Sequence, residues 1–189
     1  MNITITLQDN LTPELARMRD ALTHRRPLHA ALAGHVARDL RAHFTKLERR
    51  GNKRGWPRRH FWNREGRQNT AVTEISDAGG TVTIASVAIA HKVMGGTIRA
   101  KRSKYLAIPV SREAYKAGSP REGRIFGLFA LKGRLVAAKD KQGKKLITHY
   151  ILKTSVFQRA DPNALPPPAD IEATVQRETE SWLRAHAAK

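Results

Sequence analysis

Leu28, Leu32, Val36, Leu40 and Phe44 recur at every fourth position, and Leu47 follows three later. Apolar residues at that spacing form one buried stripe that drifts slowly around an α-helix. Arg38, Asp39, Arg41 and Lys46 take its other faces. Pro27 opens this helix, and Gly51 closes it after Arg49 and Arg50, the pairing of proline at the start with cations and glycine at the end that helices favour. A shorter helix precedes it. Thr12 supplies an N-cap and Pro13 a first helical position, and the segment runs to about His24. Before that, Ile3 to Leu7 alternates apolar and hydroxyl side chains, as a strand does.

From Thr70 the period shortens towards two. Val72 and Ile75 precede the turn residues Asp77-Ala78-Gly79-Gly80, and Val82 and Ile84 follow, which predicts a hairpin. Residues 87–93 fit a short helix or a continued strand. Thr97-Ile98 after Gly96, and Leu106 and Ile108 before Pro109, are two short extended runs separated by a basic bend. Residues 111–123 read as loop. Strands are expected over 125–131 and 135–138 around Lys132-Gly133, then a turn at 140–143 and a strand over 146–152. Pro162 and Pro166–Pro168 form a stiff linker. Asp170 is placed to cap a last helix whose buried side is Ile171, Val175 and Trp182 or Leu183. This order predicts an α+β fold, with N-terminal helices packed on one antiparallel sheet, a long basic loop, and a C-terminal helix after a Pro-rich linker. The expected division is a core domain over 1–160 and a linker with its helix over 161–189.

Charge changes this picture. The chain of 189 residues carries a formal net charge of +19, 40% apolar residues and no cysteine. Such an excess points to nucleic acid, an anionic membrane surface or an acidic protein as partner, or to a merely soluble basic surface. Without cysteine there are no disulfides, thiolate ligands or cysteine nucleophiles. The first ten residues lack the basic and apolar regions of a signal peptide, and there is no apolar run of membrane-spanning length.

Two segments concentrate the cations. Residues 49–69 hold Lys and Arg at 49, 50, 53, 54, 58, 59, 64 and 67, opposed only by Glu65, with Trp56, Phe61 and Trp62 interleaved. Arg54, Arg58, Arg59 and Arg64 can neutralise phosphates while the aromatic rings stack on bases. Equally, the rings can fold inward as anchors, which Gly55-Trp56-Pro57 favours for Trp56, and the loop can meet an acidic protein surface. The second segment is the bend at Arg99, Lys101, Arg102 and Lys104, four cations with no acid among them. Gly95-Gly96 before it fits a turn better than a phosphate cradle, because the rest of a phosphate loop is missing.

No catalytic, cofactor or metal site is expected. The eight histidines match no metal-binding spacing, and His35 and His43 are roughly 12 Å apart along a helix, too far to share an ion. No paired carboxylates suggest a general acid and base. A nuclease or wall hydrolase would need a convergent set of acid, base or metal ligands that the sequence does not display.

Three stretches together resemble the phage virion morphogenesis family, the tail-completion proteins of Mu-like and P2-like phages and prophages. The first is Leu11–Trp62, with helices around Arg26-Pro27-Leu28, then Arg41-Ala-His-Phe44 and a glycine-tryptophan-proline loop. The second is Ile89–Pro109, with His91, Gly95-Gly96-Thr97-Ile98 and Leu106-Ala107-Ile108-Pro109. The third is Tyr150–Trp182, where a strand passes through Asp161-Pro162-Asn163-Ala164-Leu165-Pro166 into a helix. The resemblance implies a structural protein, made in the host bacterial cytoplasm, that completes or joins the tail at the head–tail junction. It also implies a homo-oligomeric ring, tail or neck proteins as partners, no enzymatic activity, no cofactor and no membrane. The basic excess over 49–69 is heavier than the resemblance leads one to expect. It keeps contact with DNA, or a nucleic-acid-binding module, as the alternative.

Overall fold

The computed structural model describes residues 11–51, 54–57, 59–131, 133–139 and 143–187. The expected strand at Ile3–Leu7 and the turn at Asp140 lie outside the described residues, as does Arg58. The class is α+β, with two N-terminal helices, antiparallel strands and a C-terminal helix. In chain order the elements are α1 (Leu11–Thr23), α2 (Arg26–Arg49), a π-helical segment (Trp62–Arg67), β1 (Thr70–Ile75), β2 (Gly80–Ile84), α3 (Val87–Met94), β3 (Gly96–Arg99) and β4 (Leu106–Pro109). They continue with α4 (Arg112–Ala117), a 3-10 turn (Pro120–Glu122), β5 (Phe129–Leu131), β6 (Leu135–Lys139), β7 (Leu146–Lys153), β8 (Ser155–Gln158) and α5 (Pro168–Ala187).

The antiparallel pairing is spread over three sheets among the described residues, where one was expected: β1-β2, β3-β8, and β4-β7-β6-β5. The chain also divides into two compact units that do not follow the linear order. The first comprises residues 1–45, 63–86 and 165–189, the second 46–62 and 87–164. The passage at Ala164/Leu165 falls near the expected boundary at 161, but the helix beyond it joins the N-terminal helices.

In the first unit, α5 lies against α1. Its covered side is Ile171, Thr174, Val175, Glu178, Thr179, Trp182 and Leu183, the 3-4 repeat of one helix face. Two polar pairs fix it to α2: the Thr174 hydroxyl donates to Asp39 Oδ2 (2.8 Å), and His35 Nε2 lies 3.2 Å from Glu178 Oε2. Asp170 sits inside the first turn of α5, because the helix already starts at Pro168. Proline tolerates that position, since the missing N–H would have no helical partner. The same holds at α1, where Thr12 and Pro13 fall inside the first turn.

The deepest residues of α2 in this unit are Leu28, Ala33, Ala37, Leu40 and Phe44, whereas Leu32 and Val36 are half-buried. The hairpin explains the shift at Ala33. A Cβ on Gly80 would come within 3.1 Å of the Ala33 methyl and of the His29 carbonyl, so β2 presses on the small side chain. The hairpin turn also caps the helix. The Arg26 amide donates to Asp77 Oδ1 (2.8 Å), and His29 Nδ1 donates to the Ser76 carbonyl (2.8 Å). At the other end of β1, Arg41 donates to the Thr70 carbonyl (2.7 Å), and the Thr70 hydroxyl to the Gly66 carbonyl (2.8 Å). Gly66 lies directly on the Phe44 ring: a Cβ there would stand 2.6–2.8 Å from three ring carbons.

The second unit holds the other two sheets. Segment 87–94 resolves as helix, with Ile89 buried. Residues 111–123, expected as loop, contain α4 and the 3-10 turn. Ser111 caps α4, accepting from the Ala114 amide (3.0 Å), and Ser119-Pro120-Arg121-Glu122 forms a capping box. The strand expected over 125–131 shortens to Phe129–Leu131. Tyr150, Ala114, Ala117, Ala137, Ala138 and Ala164 are buried, and the Tyr150 hydroxyl donates to the Ala114 carbonyl (3.4 Å).

Candidate functional site

Charge is divided unequally between the two units. By sequence, 24 of the 35 Lys and Arg but only five of the 16 Asp and Glu fall in the second unit. That is the whole +19; the first unit keeps eleven of each sign and is neutral. Any contact driven by net charge therefore belongs to the second unit.

Within it, the aromatic loop is held by its own rings. Arg54 stands over Trp56 (4.8 Å to the ring centre), Trp56 packs on Tyr115 of α4 (5.1 Å), and Arg59 stands over Tyr115 (4.7 Å). Arg59 also donates to the Tyr115 carbonyl. Phe61 and Trp62 meet edge to face at 5.2 Å, and Lys92 of α3 lies 6.0 Å from the Phe61 ring. The Trp62 amide donates to Glu48 Oε2 (3.0 Å), and His60, with φ of 53°, places Nδ1 3.6 Å from Glu48 Oε1. All three rings are half-buried, while Arg54 and Arg59 are exposed. Trp56 thus packs on a ring of α4, while Phe61 and Trp62 pack edge to face on each other within the loop. Arg64 is exposed in the π-helical segment and belongs to the first unit, so it is not part of this group.

The second cluster has an unforeseen construction. The two runs flanking the bend do not pair with each other. β3 pairs with β8, ending at Arg99↔Ser155, and β4 pairs with β7, beginning at Leu106↔Lys153. Residues 100–105 therefore stand opposite Thr154 alone. The bend is an outsized bulge, pinned by strand pairing at both ends, and it moves the chain from the two-stranded ribbon to the four-stranded sheet. Gly95, at its approach, has φ of 71°, and a Cβ would meet the Ala160 amide at 2.7 Å, so turn geometry accounts for it. Arg99, Lys101, Arg102 and Lys104 are all exposed, and Lys104 lies 5.6 Å from the Tyr105 ring.

Only Arg102 and Lys104 of these four line a pocket of about 540 Å³, where Arg121 joins them. Sequence reading missed Arg121, although the Ser-x-x-Glu pattern around it marks the turn that positions it. It also missed Tyr115 and Lys92, the ring partners of the loop, since nothing local announces a contact across more than 30 residues.

One further constellation is partly buried. Ser111 Oγ lies 2.7 Å from His149 Nδ1 while accepting the Ala114 amide. Its hydroxyl serves as a helix cap, and His149 completes its hydrogen bonding. Among the described residues, no group of three or more His, Asp or Glu side chains is placed to hold a metal ion, and no helix is long and apolar enough to cross a membrane.

No protein family, no curated protein and no solved structure matches this chain.

Proposed function

We propose that the protein is a structural component of a phage virion that completes or joins the tail at the head–tail junction, acting as one subunit of a ring. Its partners are further copies of itself and neighbouring tail or neck proteins. It is made in the host bacterial cytoplasm and carried in the particle, and no reaction is assigned to it. The observation that carries this reading is the folding of the segment His91–Pro109, the centre of the three-part resemblance. A positive-φ glycine turn, two strands divided between two sheets, and a cationic bulge held by strand pairing at both ends present four exposed cations on one element. Ring closure needs a heterologous interface, with one patch meeting a different patch on the next copy. A neutral unit and a unit carrying +19 in one chain provide two surfaces of different chemistry for it. Imaging of the native particle tests the proposal: the protein is expected as a ring where the tail meets the head, and its absence from particles with complete, attached tails would overturn it.

A second reading, contact with nucleic acid, is supported by the same segregation of charge. At Trp56, whose ring is engaged by Arg54 and Tyr115, phosphate contact is favoured over base stacking in that case. Binding would then weaken with salt at a log–log slope of roughly −0.7 to −0.9 per phosphate contacted. Undetectable binding to DNA and RNA at low salt would remove this reading.

A further inference from the structure

The pocket beside the cationic bulge joins three features. Its rim is cationic, with Arg102, Lys104 and Arg121 and no acidic residue among the lining side chains. Its floor is apolar, formed by Ala107, Val136 and Leu152, which the strand register places on one face of three adjacent strands. Its volume of about 540 Å³ suits one or two side chains rather than a duplex. Of the three lining hydroxyls, Ser103 donates to the Tyr105 carbonyl (2.7 Å) and Ser119 accepts the Arg121 amide (3.3 Å); the third is the Tyr105 phenol. Charged recognition is therefore left to the three cations, with the Tyr105 phenol as a neutral donor beside them, and guanidinium groups match carboxylates in paired hydrogen bonds.

We propose that this pocket receives an extended acidic segment of a partner protein. An apolar side chain of the segment sits on the Val136–Leu152 floor, and flanking carboxylates pair with Arg102, Lys104 and Arg121. Two observations favour peptide over nucleic acid. The aromatic ring at the site, Tyr105, lies beside its own chain's Lys104 ammonium, which competes with a stacking base. β4, whose first residues line the pocket, is an edge strand of its sheet, and extended peptides add to such edges while alternate side chains enter adjoining pockets. The proposal does not rest on the virion reading, since it concerns only the chemistry of this pocket.

The test uses the full chain and a fluorescein-labelled eight-residue peptide alternating glutamate and leucine, read by fluorescence polarisation at low salt. A polyglutamate peptide and a single-stranded oligonucleotide, each of equal charge to the first peptide, serve as competitors. The alternating peptide is expected to bind at least about tenfold tighter than polyglutamate, and the double variant Arg102→Glu/Arg121→Glu to lose about tenfold or more. The control Lys116→Glu/Arg159→Glu, equal in charge change and outside the pocket, is expected to lose much less. Equal binding of polyglutamate would overturn the proposal, as would equal losses in the two double variants. Tighter binding of the oligonucleotide, lost in the same variant, would make the pocket a phosphate site instead. Methyl resonances of the unaltered protein give an independent readout if the variants fold poorly. Val136 and Leu152 must shift on addition of the alternating peptide, and shifts confined to other methyl groups would refute the assignment.

Discussion

At the scale of single residues, two positions show how much of the fold depends on what a side chain leaves free. Gly66 exists as glycine because Phe44, fully buried, fills the space where a Cβ would go. Gly66→Ala forces the ring or the π-helical segment to move, and is expected to lower unfolding stability by about 1–3 kcal/mol in a denaturant titration. Sequence patterning identified Phe44 as core but gave Gly66 no role, because a close approach between distant residues leaves no periodic trace. The second position is Tyr150. Burial, reinforced by the nearby Glu122 carboxylate, holds its phenol above the ordinary value near 10, with Arg59 pulling the other way. A group whose folded pKa is raised contributes stability in full below its unfolded value and loses it as pH rises through the folded value. The melting temperature of the protein, relative to that of Tyr150→Phe, is therefore expected to be constant below pH 10 and to fall above it. The comparison cancels the opposing gain from neutralising lysines. A constant difference up to pH 11 would contradict the assignment.

Among elements, helices were the most legible. The four-residue recurrence from Leu28 to Phe44 marked α2, and Gly51, with φ of 72°, follows it. The hairpin was legible too: Val72↔Val82 and Ile75↔Gly80 pair around the Asp77–Gly80 turn. What the sequence concealed was which strands pair. β8 went unseen because only Thr154 separates it from β7, so the switch of sheet occurs without a turn signal. The basic bend was placed between its two extended runs, but nothing local showed that the runs pair with different strands, because partners roughly 40 to 60 residues away are invisible to local pattern. α4 escaped for a different reason: six residues are too few to show a helical period. The cap that Asp77 supplies to α2 is a property of elements rather than of either residue alone. Asp77→Ala removes the acceptor of the Arg26 amide and is expected to cost about 1 kcal/mol, as helix caps do. Chemical denaturation checks this, and Asp77→Asn, which keeps an acceptor oxygen, should recover most of the loss.

For the whole molecule, the informative feature is the placement of charge. Sequence composition gave its size, and the two basic segments gave part of its location. Only the interleaved division of the chain shows that one unit carries all of the excess and the other none. That division could not be read in advance, because it assigns residues 63–86 and 165–189 to the same unit as the first 45. A single patch of cations would suit a binding module. A unit with a large net positive charge joined to a neutral one suits a part that bridges two kinds of neighbour, the role proposed at the tail end. On the proposed reading the gene lies in a phage or prophage, and the most direct test is to delete it and image the particles formed. The account predicts heads and tails that assemble but fail to join, or tails that lack their completed end, with restoration when the intact chain is supplied. Normal tailed particles in the deletion would contradict it.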